Sequence, residues 1–356
     1  MVLDLLKVFT PAFIAFVIGI GITPVLTHYL YKYKAWKKHA GKTALDGRNA
    51  VEFGKLRSEE TETKTPRMGG IVIWVSVAAT TLLLFALGHL FPNSSAAKFD
   101  FFSRSQTWIP FTALILGALV GLVNDILDVI NVEGEKGIPL PMRLLFVSLL
   151  AVFIGWWFWV KLEVTGISLL WGGTLHLGWL IVPFFVLVMV FLYASGVIDG
   201  IDGLSGGVFS SIFFAYALIA FYQNQINLAA FCATVVGALL AFLWFNVPPA
   251  RFWMTETGSM GLTMTIATVA FMTDTLGEGK GVSVLPVIAF LLVATVFSNI
   301  IQVLSKKFRH GKKIFRIAPL HHHFEAIGWP GYKVTMRYWI LSLIFAIVGV
   351  SLALLK

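Results

Sequence analysis

Ten apolar stretches, each long enough for a membrane helix of about 20 residues, follow one another from end to end of this chain. In lipid the backbone can satisfy its hydrogen bonds only inside helices or a closed barrel. The stretches run roughly over 8–30, 69–91, 107–130, 141–161, 178–198, 204–222, 226–246, 259–276, 283–305 and 335–355. The expected fold class is therefore an all-α integral membrane protein, with residues 1–356 forming a single polytopic domain of ten transmembrane helices. A water-soluble core is excluded by composition, since 58% of residues are hydrophobic and only 13% are charged. No cleavable signal peptide is expected, because the first stretch is long and has no small-residue cleavage site. The single cysteine, Cys232, lies inside an apolar run and reads as a small core residue without a disulfide.

Charge sets the orientation. The loop over 31–68 carries ten Lys and Arg, and the loop over 305–337 carries eight, together eighteen of the 27 in the chain. Both loops are expected on the cytoplasmic side by the positive-inside rule. Eight spans lie between them, an even number, so charge and span count agree, and both termini fall on the extracytoplasmic side. The net charge of +9 is confined to these loops and is no nucleic-acid signal. Every polar motif then lies on one side: TPRMGG, NDILD with the following KGI, DGIDGLSGG, FNVPPARFWMTETGS and APLHHHFE. The opposite connections are poorer, and WGGTLHLG among them reads as a short hairpin.

Asp199 and Asp202, in DGIDGLSGG, sit where a membrane helix surfaces. Charges there are costly and functional by default, and the adjacent glycines let backbone and ligand approach closely. The pair suits a metal ion or a phosphate carried on one, and a helix cap is the plainer alternative. Asp125 and Asp128 are three apart and share a helix face. Two carboxylates at that height suit Mg²⁺, which takes oxygen ligands and keeps several waters. Ordinary interfacial polarity is the alternative there. Glu256 adds a third acidic position on the same side. Trp253 reads either as an interface anchor or as a stacking platform for a base. Three adjacent histidines, His321 to His323, rarely converge on one ion, and contacts to a diphosphate fit the neighbouring lysines better; a basic loop that binds lipid headgroups is the alternative. Acidic groups for Mg²⁺, cations for phosphate and an aromatic for a planar ligand point to phosphoryl transfer at a lipid–water boundary.

With these motifs in family order over nearly the whole chain, the sequence resembles the polyprenyl-phosphate N-acetylhexosamine-1-phosphate transferases. APLHHHFE, from Ala318 to Glu325, resembles the branch formed by the phospho-N-acetylmuramoyl-pentapeptide transferase family. The resemblance implies a multi-pass protein of the bacterial inner (cytoplasmic) membrane that is dimeric and Mg²⁺-dependent. It would move phospho-N-acetylmuramoyl-pentapeptide from its UDP carrier to undecaprenyl phosphate, giving lipid I and UMP in peptidoglycan synthesis. Catalytic roles carry over to Asp125, Asp199 and Glu256, with Glu256 and Asp199 at the metal. Substrate contacts carry over to Asp202, Asn246, Trp253, Gln302, His321 and His322. Several positions depart from the pattern. Asn124 stands where the family has Asp, Glu256 for Asp, Gly196 for Asn, Glu62 for Lys, Arg67 for Thr and Asp128 for Lys. Two alternatives stay open beside the main reading: a transferase for UDP-N-acetylglucosamine or another UDP-sugar, and a catalytically impaired relative that binds lipid or a partner.

Overall fold

The computed structural model describes residues 1–37, 63–130 and 137–355. Glu62, Lys136 and most of the first basic loop lie outside them. The described chain is helical apart from one small hairpin. In order, the helices are α1 (Val2–Lys32), α2 (Ile71–Leu90), α3 (Trp108–Ile130), α4 (Leu140–Lys161), α5 (Ile181–Ser195), α6 (Leu204–Tyr222), α7 (Ile226–Asn246), α8 (Thr255–Met272), α9 (Gly281–Ile288), α10 (Phe290–Phe308), α11 (Leu320–Ala326) and α12 (Gly331–Leu354).

Among the described residues, nine helices are long and apolar enough to cross a membrane. Two of the ten expected spans look different in the structure. The stretch over 283–305 is broken at Ala289 into α9 and α10, and α10 alone has spanning length. The stretch over 259–276 becomes α8, which is not among the nine. Its side chains explain why. Thr263, Thr265 and Thr268 lower its apolarity, and each returns its hydroxyl to a carbonyl on the preceding turn (Ser259, Gly261, Met264) at 2.7–2.9 Å. Hydroxyls satisfied in this way are tolerated inside a bundle.

Nearly all of α8 is buried, and it touches α2, α3, α5, α6 and α9. It is the central post of the bundle, and its neighbours shield it from lipid. Small residues let the post stand close to α3. A Cβ on Gly117 would lie 2.9 Å from Gly261 Cα, and one on Gly121 would lie 2.1 Å from the Glu256 carbonyl oxygen. Backbones in such contact exchange many small dispersion interactions, the usual source of helix association in lipid.

The expected hairpin is present as β1 (Gly166–Ser168) and β2 (Thr174–His176), antiparallel with Ile167 opposite Leu175. Gly172 and Gly173 turn it at φ +95 and +82, where a side chain would be strained. Asp274, beyond the end of α8, ties the hairpin down. Its carboxylate accepts from Ser168 N at 2.7 Å and from Val282 N at 2.9 Å. Burial pushes this carboxyl up to about 6 despite those backbone donors. A folded-state pKa above the unfolded one favours the protonated acid in the fold. The group's contribution is therefore complete below the ordinary carboxylate range and is lost as pH rises through about 6. We expect melting scans of the purified protein to show a step down in Tm between about pH 4 and about pH 6. Asp274→Asn should flatten that step; an unchanged step in the variant would contradict the assignment.

Candidate functional site

The site is built where α2, α4, α6 and α8 begin and where α3, α5 and α7 end. Its centre is the turn Met254–Thr257. Thr255 takes φ +55 there, an unusual backbone for a β-branched residue, and its neighbours over-determine it. Thr255 N donates to Asp199 Oδ2 at 2.7 Å, and Thr255 Oγ1 donates to Asp125 Oδ2 at 2.5 Å. Asp125 Oδ2 also accepts from Thr257 N at 2.8 Å and from Thr257 Oγ1 at 2.6 Å. One wholly buried carboxylate oxygen thus holds the residues on either side of Glu256. Asp199 completes the frame by accepting from Ser205 Oγ at 2.7 Å.

Asp202 does a parallel job one turn away. Its two oxygens accept from Trp253 Nε1 at 3.1 Å and Ala250 N at 3.0 Å, which fixes the plane of the Trp253 ring. Asn246 Oδ1 accepts from Gly203 N at 3.0 Å, and Asn246 Nδ2 donates to Phe252 O at 2.8 Å. Asn246 therefore stitches the DGIDG turn to the loop that carries Trp253. The glycines of TPRMGG bring a third strand of backbone to the same place: Gly69 N donates to Trp253 O at 2.8 Å, and Gly70 N to Met254 O at 3.1 Å. Neither glycine could carry a side chain, since Cβ atoms there would lie 2.2 Å from the Phe252 ring and 2.3 Å from Gly258 N.

The histidine motif joins from the far end of the sequence. A Cβ at Gly200 would lie 2.5 Å from His321 Nε2 and 2.7 Å from His322 Nε2. The first glycine of DGIDG is thus the point of contact between the two motifs. Both histidines are buried, and His322 Nδ1 pairs with Glu325 Oε2 at 2.7 Å. His323 points elsewhere and accepts from Arg316 N at 3.2 Å. Burial, with the charge of Arg316, lowers its pKa and favours the neutral ring. Gln302 reaches the motif from behind. Its amide donates to Phe315 O at 2.9 Å and accepts from Phe315 N at 3.0 Å, so it pins the basic loop that leads into α11.

The departures from the family pattern are also placed. The side-chain oxygen of Asn124 accepts from Ile138 N at 2.9 Å and so anchors the start of the chain that leads into α4. Arg67 and Asp128 form an ion pair at 2.5 Å, and the second arm of Arg67 lies 3.7 Å from Asp125 Oδ1. Lys37 stands 3.8 Å from Asp128. A Cβ at Gly196 would meet Ser259 Oγ at an ordinary 3.4 Å, so space does not explain that glycine.

One residue escaped the sequence reading. Arg143, in the first turn of α4, donates to Glu256 Oε1 at 2.6 Å. In the sequence it is only a cation at the start of a span, which the positive-inside rule explains without any site.

The donor set accommodates a magnesium ion. Among the described residues, no three His, Cys, Asp or Glu side chains gather to hold a metal by themselves. Mg²⁺ does not need that, because it binds through one or two carboxylates and substrate phosphates. Asp125 Oδ1 is buried without a hydrogen bond, a costly state for a carboxylate oxygen. Glu256 lies between the two threonines that bind Asp125, and Asp199 shares Thr255 with it. All three are hard oxygen donors.

Comparison with known sequences agrees with this geometry. The sequence model of glycosyl transferase family 4 matches residues 107–274, which contain Asp125, Asp199, Asp202, Asn246, Trp253 and Glu256. The chain is 33% identical over 345 residues to a phospho-N-acetylmuramoyl-pentapeptide-transferase of Geobacillus sp. (strain WCH70), covering 95% of each chain. It is 32% identical to the proteins of that name from Geobacillus thermodenitrificans (strain NG80-2) and Bacillus mycoides (strain KBAB4), again over 95% of each chain.

Proposed function

Since the chain belongs to the phospho-N-acetylmuramoyl-pentapeptide transferase family, we propose that it moves phospho-N-acetylmuramoyl-pentapeptide from UDP to undecaprenyl phosphate at a membrane surface. An oxygen of the lipid phosphate attacks the β-phosphorus of the UDP-sugar. The bond from that phosphorus to the bridging oxygen breaks, UMP leaves with the electron pair, and the lipid-linked diphosphate is lipid I. The observation that carries this reading is the contact among five sequence-distant motifs: TPRMGG, Asp125 and Asp199 bond to the loop over Trp253–Thr257, and His321 and His322 meet DGIDG at Gly200.

Phosphoryl transfer asks a protein mainly for positioning and charge neutralisation. Asp202 holds the Trp253 ring as a platform for the uracil, while Asn246 fixes the loop beneath it. His321 and His322 lie against Gly200 and face the diphosphate, with Gln302 steadying the loop that presents them. Asp125 orients the lipid phosphate. It has little proton to remove, since a phosphate monoester with a second pKa near 6 is largely dianionic at neutral pH. Glu256 and Asp199, with Asp125 beside them, would hold Mg²⁺, which would supply charge neutralisation for the transferred group. The charge of the two basic loops supports a cytoplasmic site with both termini outside, and the family resemblance supports ten membrane helices in a bacterial inner membrane. A homodimer rests on the family resemblance alone.

Purified protein in detergent with undecaprenyl phosphate should release UMP with the muramoyl-pentapeptide nucleotide at least about tenfold faster than with UDP-N-acetylglucosamine. Chelation with EDTA should stop release, and added Mg²⁺ should restore it. Equal rates with the two nucleotides would overturn the substrate assignment, and full activity in EDTA would overturn the metal.

A further inference from the structure

The carboxylates of this site already have cations of their own, and the two cations are held differently. Arg67 has a dedicated partner in Asp128 at 2.5 Å and touches Asp125 only at 3.7 Å. Asp125 can therefore engage a metal ion while Arg67 keeps its bond. Arg143 has no such arrangement. Its carboxylate partner is Glu256, at 2.6 Å, and Glu256 is the residue in the metal-ligand position. A guanidinium bonded to a carboxylate oxygen and a divalent cation on that carboxylate repel one another across a few ångströms, which is costly where water is partly excluded.

The pair is also built to part. The side chains of Arg143 and Glu256 are 22% and 28% exposed, so water reaches both and neither must leave a sealed core. The guanidinium has donors to spare. Its Nε is buried without a hydrogen bond, and the phenol of Tyr193 is its other neighbour. A planar fork with unspent donors beside an anchoring phenol matches a phosphate oxygen well.

We propose that Arg143 is an exchangeable counterion: it neutralises Glu256 while no divalent cation is bound, and it yields that carboxylate to the cation and turns to the diphosphate when nucleotide arrives. This inference rests on the metal assignment above, and it makes Arg143 a positioning residue that couples two ligands. Without nucleotide, a cation must compete with a tethered guanidinium, so metal alone binds weakly. With a diphosphate present, Arg143 has somewhere to go, so each ligand tightens the other by the same factor.

Mn²⁺ serves as a spectroscopic substitute for Mg²⁺. Its affinity for the purified full chain is read by electron paramagnetic resonance with and without UDP, after allowance for Mn²⁺ bound to UDP in solution. UDP should raise wild-type affinity about tenfold. Arg143→Gln should bind Mn²⁺ about tenfold more tightly than wild type without UDP, and its coupling to UDP should fall towards one. Arg143→Lys, which keeps the charge, should stay near wild type. Weaker or unchanged Mn²⁺ binding in Arg143→Gln would overturn the proposal. Wild-type affinity indifferent to UDP would also overturn it, and that reading stands even where the glutamine variant fails to fold. Metal binding without coupling sinks the counterion role alone, whereas no Mn²⁺ binding in any form, with or without UDP, sinks the metal assignment with it.

Discussion

Asp125→Ala should lower UMP release by about two to three orders of magnitude, the loss seen when a preorganised group serving the transition state is removed. The reason is the number of tasks resting on one carboxylate. Its Oδ2 accepts three hydrogen bonds from Thr255 and Thr257, which set the direction of Glu256 between them. Its Oδ1 is buried without a hydrogen bond, with Arg67 3.7 Å away. Truncation leaves a buried amide and two hydroxyls without their acceptor, at about 1–3 kcal/mol for such a group, so Tm should fall as well. Asp125→Asn separates the two tasks. The amide retains one oxygen for the threonines and loses the charge, so most of the stability should return while turnover stays low. Wild-type turnover in Asp125→Asn would show that the carboxylate is only structural.

Gly121→Ala should be nearly as damaging, though no substrate touches it. The added Cβ would lie 2.1 Å from the Glu256 carbonyl oxygen and 2.5 Å from its carbon, whereas ordinary contact begins at 3.4 Å. The obstacle is backbone on the central helix, with no flexible side chain to swing aside. Helices α3 and α8 must separate, and the Asp125–Thr257 bonds lie across that gap. Overpacking of this kind costs about 1–3 kcal/mol, and a displacement of about an ångström at a reacting centre costs about a hundredfold in rate. Gly21→Ala provides the control. It lies in α1 with nothing within 4 Å of the added Cβ, and alanine favours a helix over glycine by up to about 1 kcal/mol. Steady-state UMP release and melting curves for the two variants should separate sharply. Equal behaviour would mean that the approach of α3 to α8 does not set the site.

Much of this was legible in the sequence because it rests on one-dimensional signals. Span lengths gave most helices to within a few residues, and paired glycines with aromatics marked the hairpin around Gly172 and Gly173. Motifs at alternate span ends were expected on one face, and the structure bonds them to one another. What was not legible depends on partners distant in the chain. The polarity of α8 looks unfavourable for lipid until five helices are seen to surround it. Gly121 reads as an ordinary glycine, and at Gly200 the close approach was expected but not its partner, since only the packed bundle puts Glu256 and His321 against them. Arg143 had a sufficient local explanation, and nothing in its neighbourhood of sequence points to a glutamate more than a hundred residues on. The departures at positions 67 and 128 were visible separately, and the ion pair between Arg67 and Asp128 links them.

Transfer itself can be followed directly. Purified protein reconstituted in lipid nanodiscs with undecaprenyl phosphate, Mg²⁺ and radiolabelled UDP-N-acetylmuramoyl-pentapeptide is followed for UMP and for label in the lipid fraction, beside a relative of known activity. Both products should appear together in equal amounts. Binding of the nucleotide with neither UMP nor labelled lipid, under conditions where the relative turns over, would contradict it.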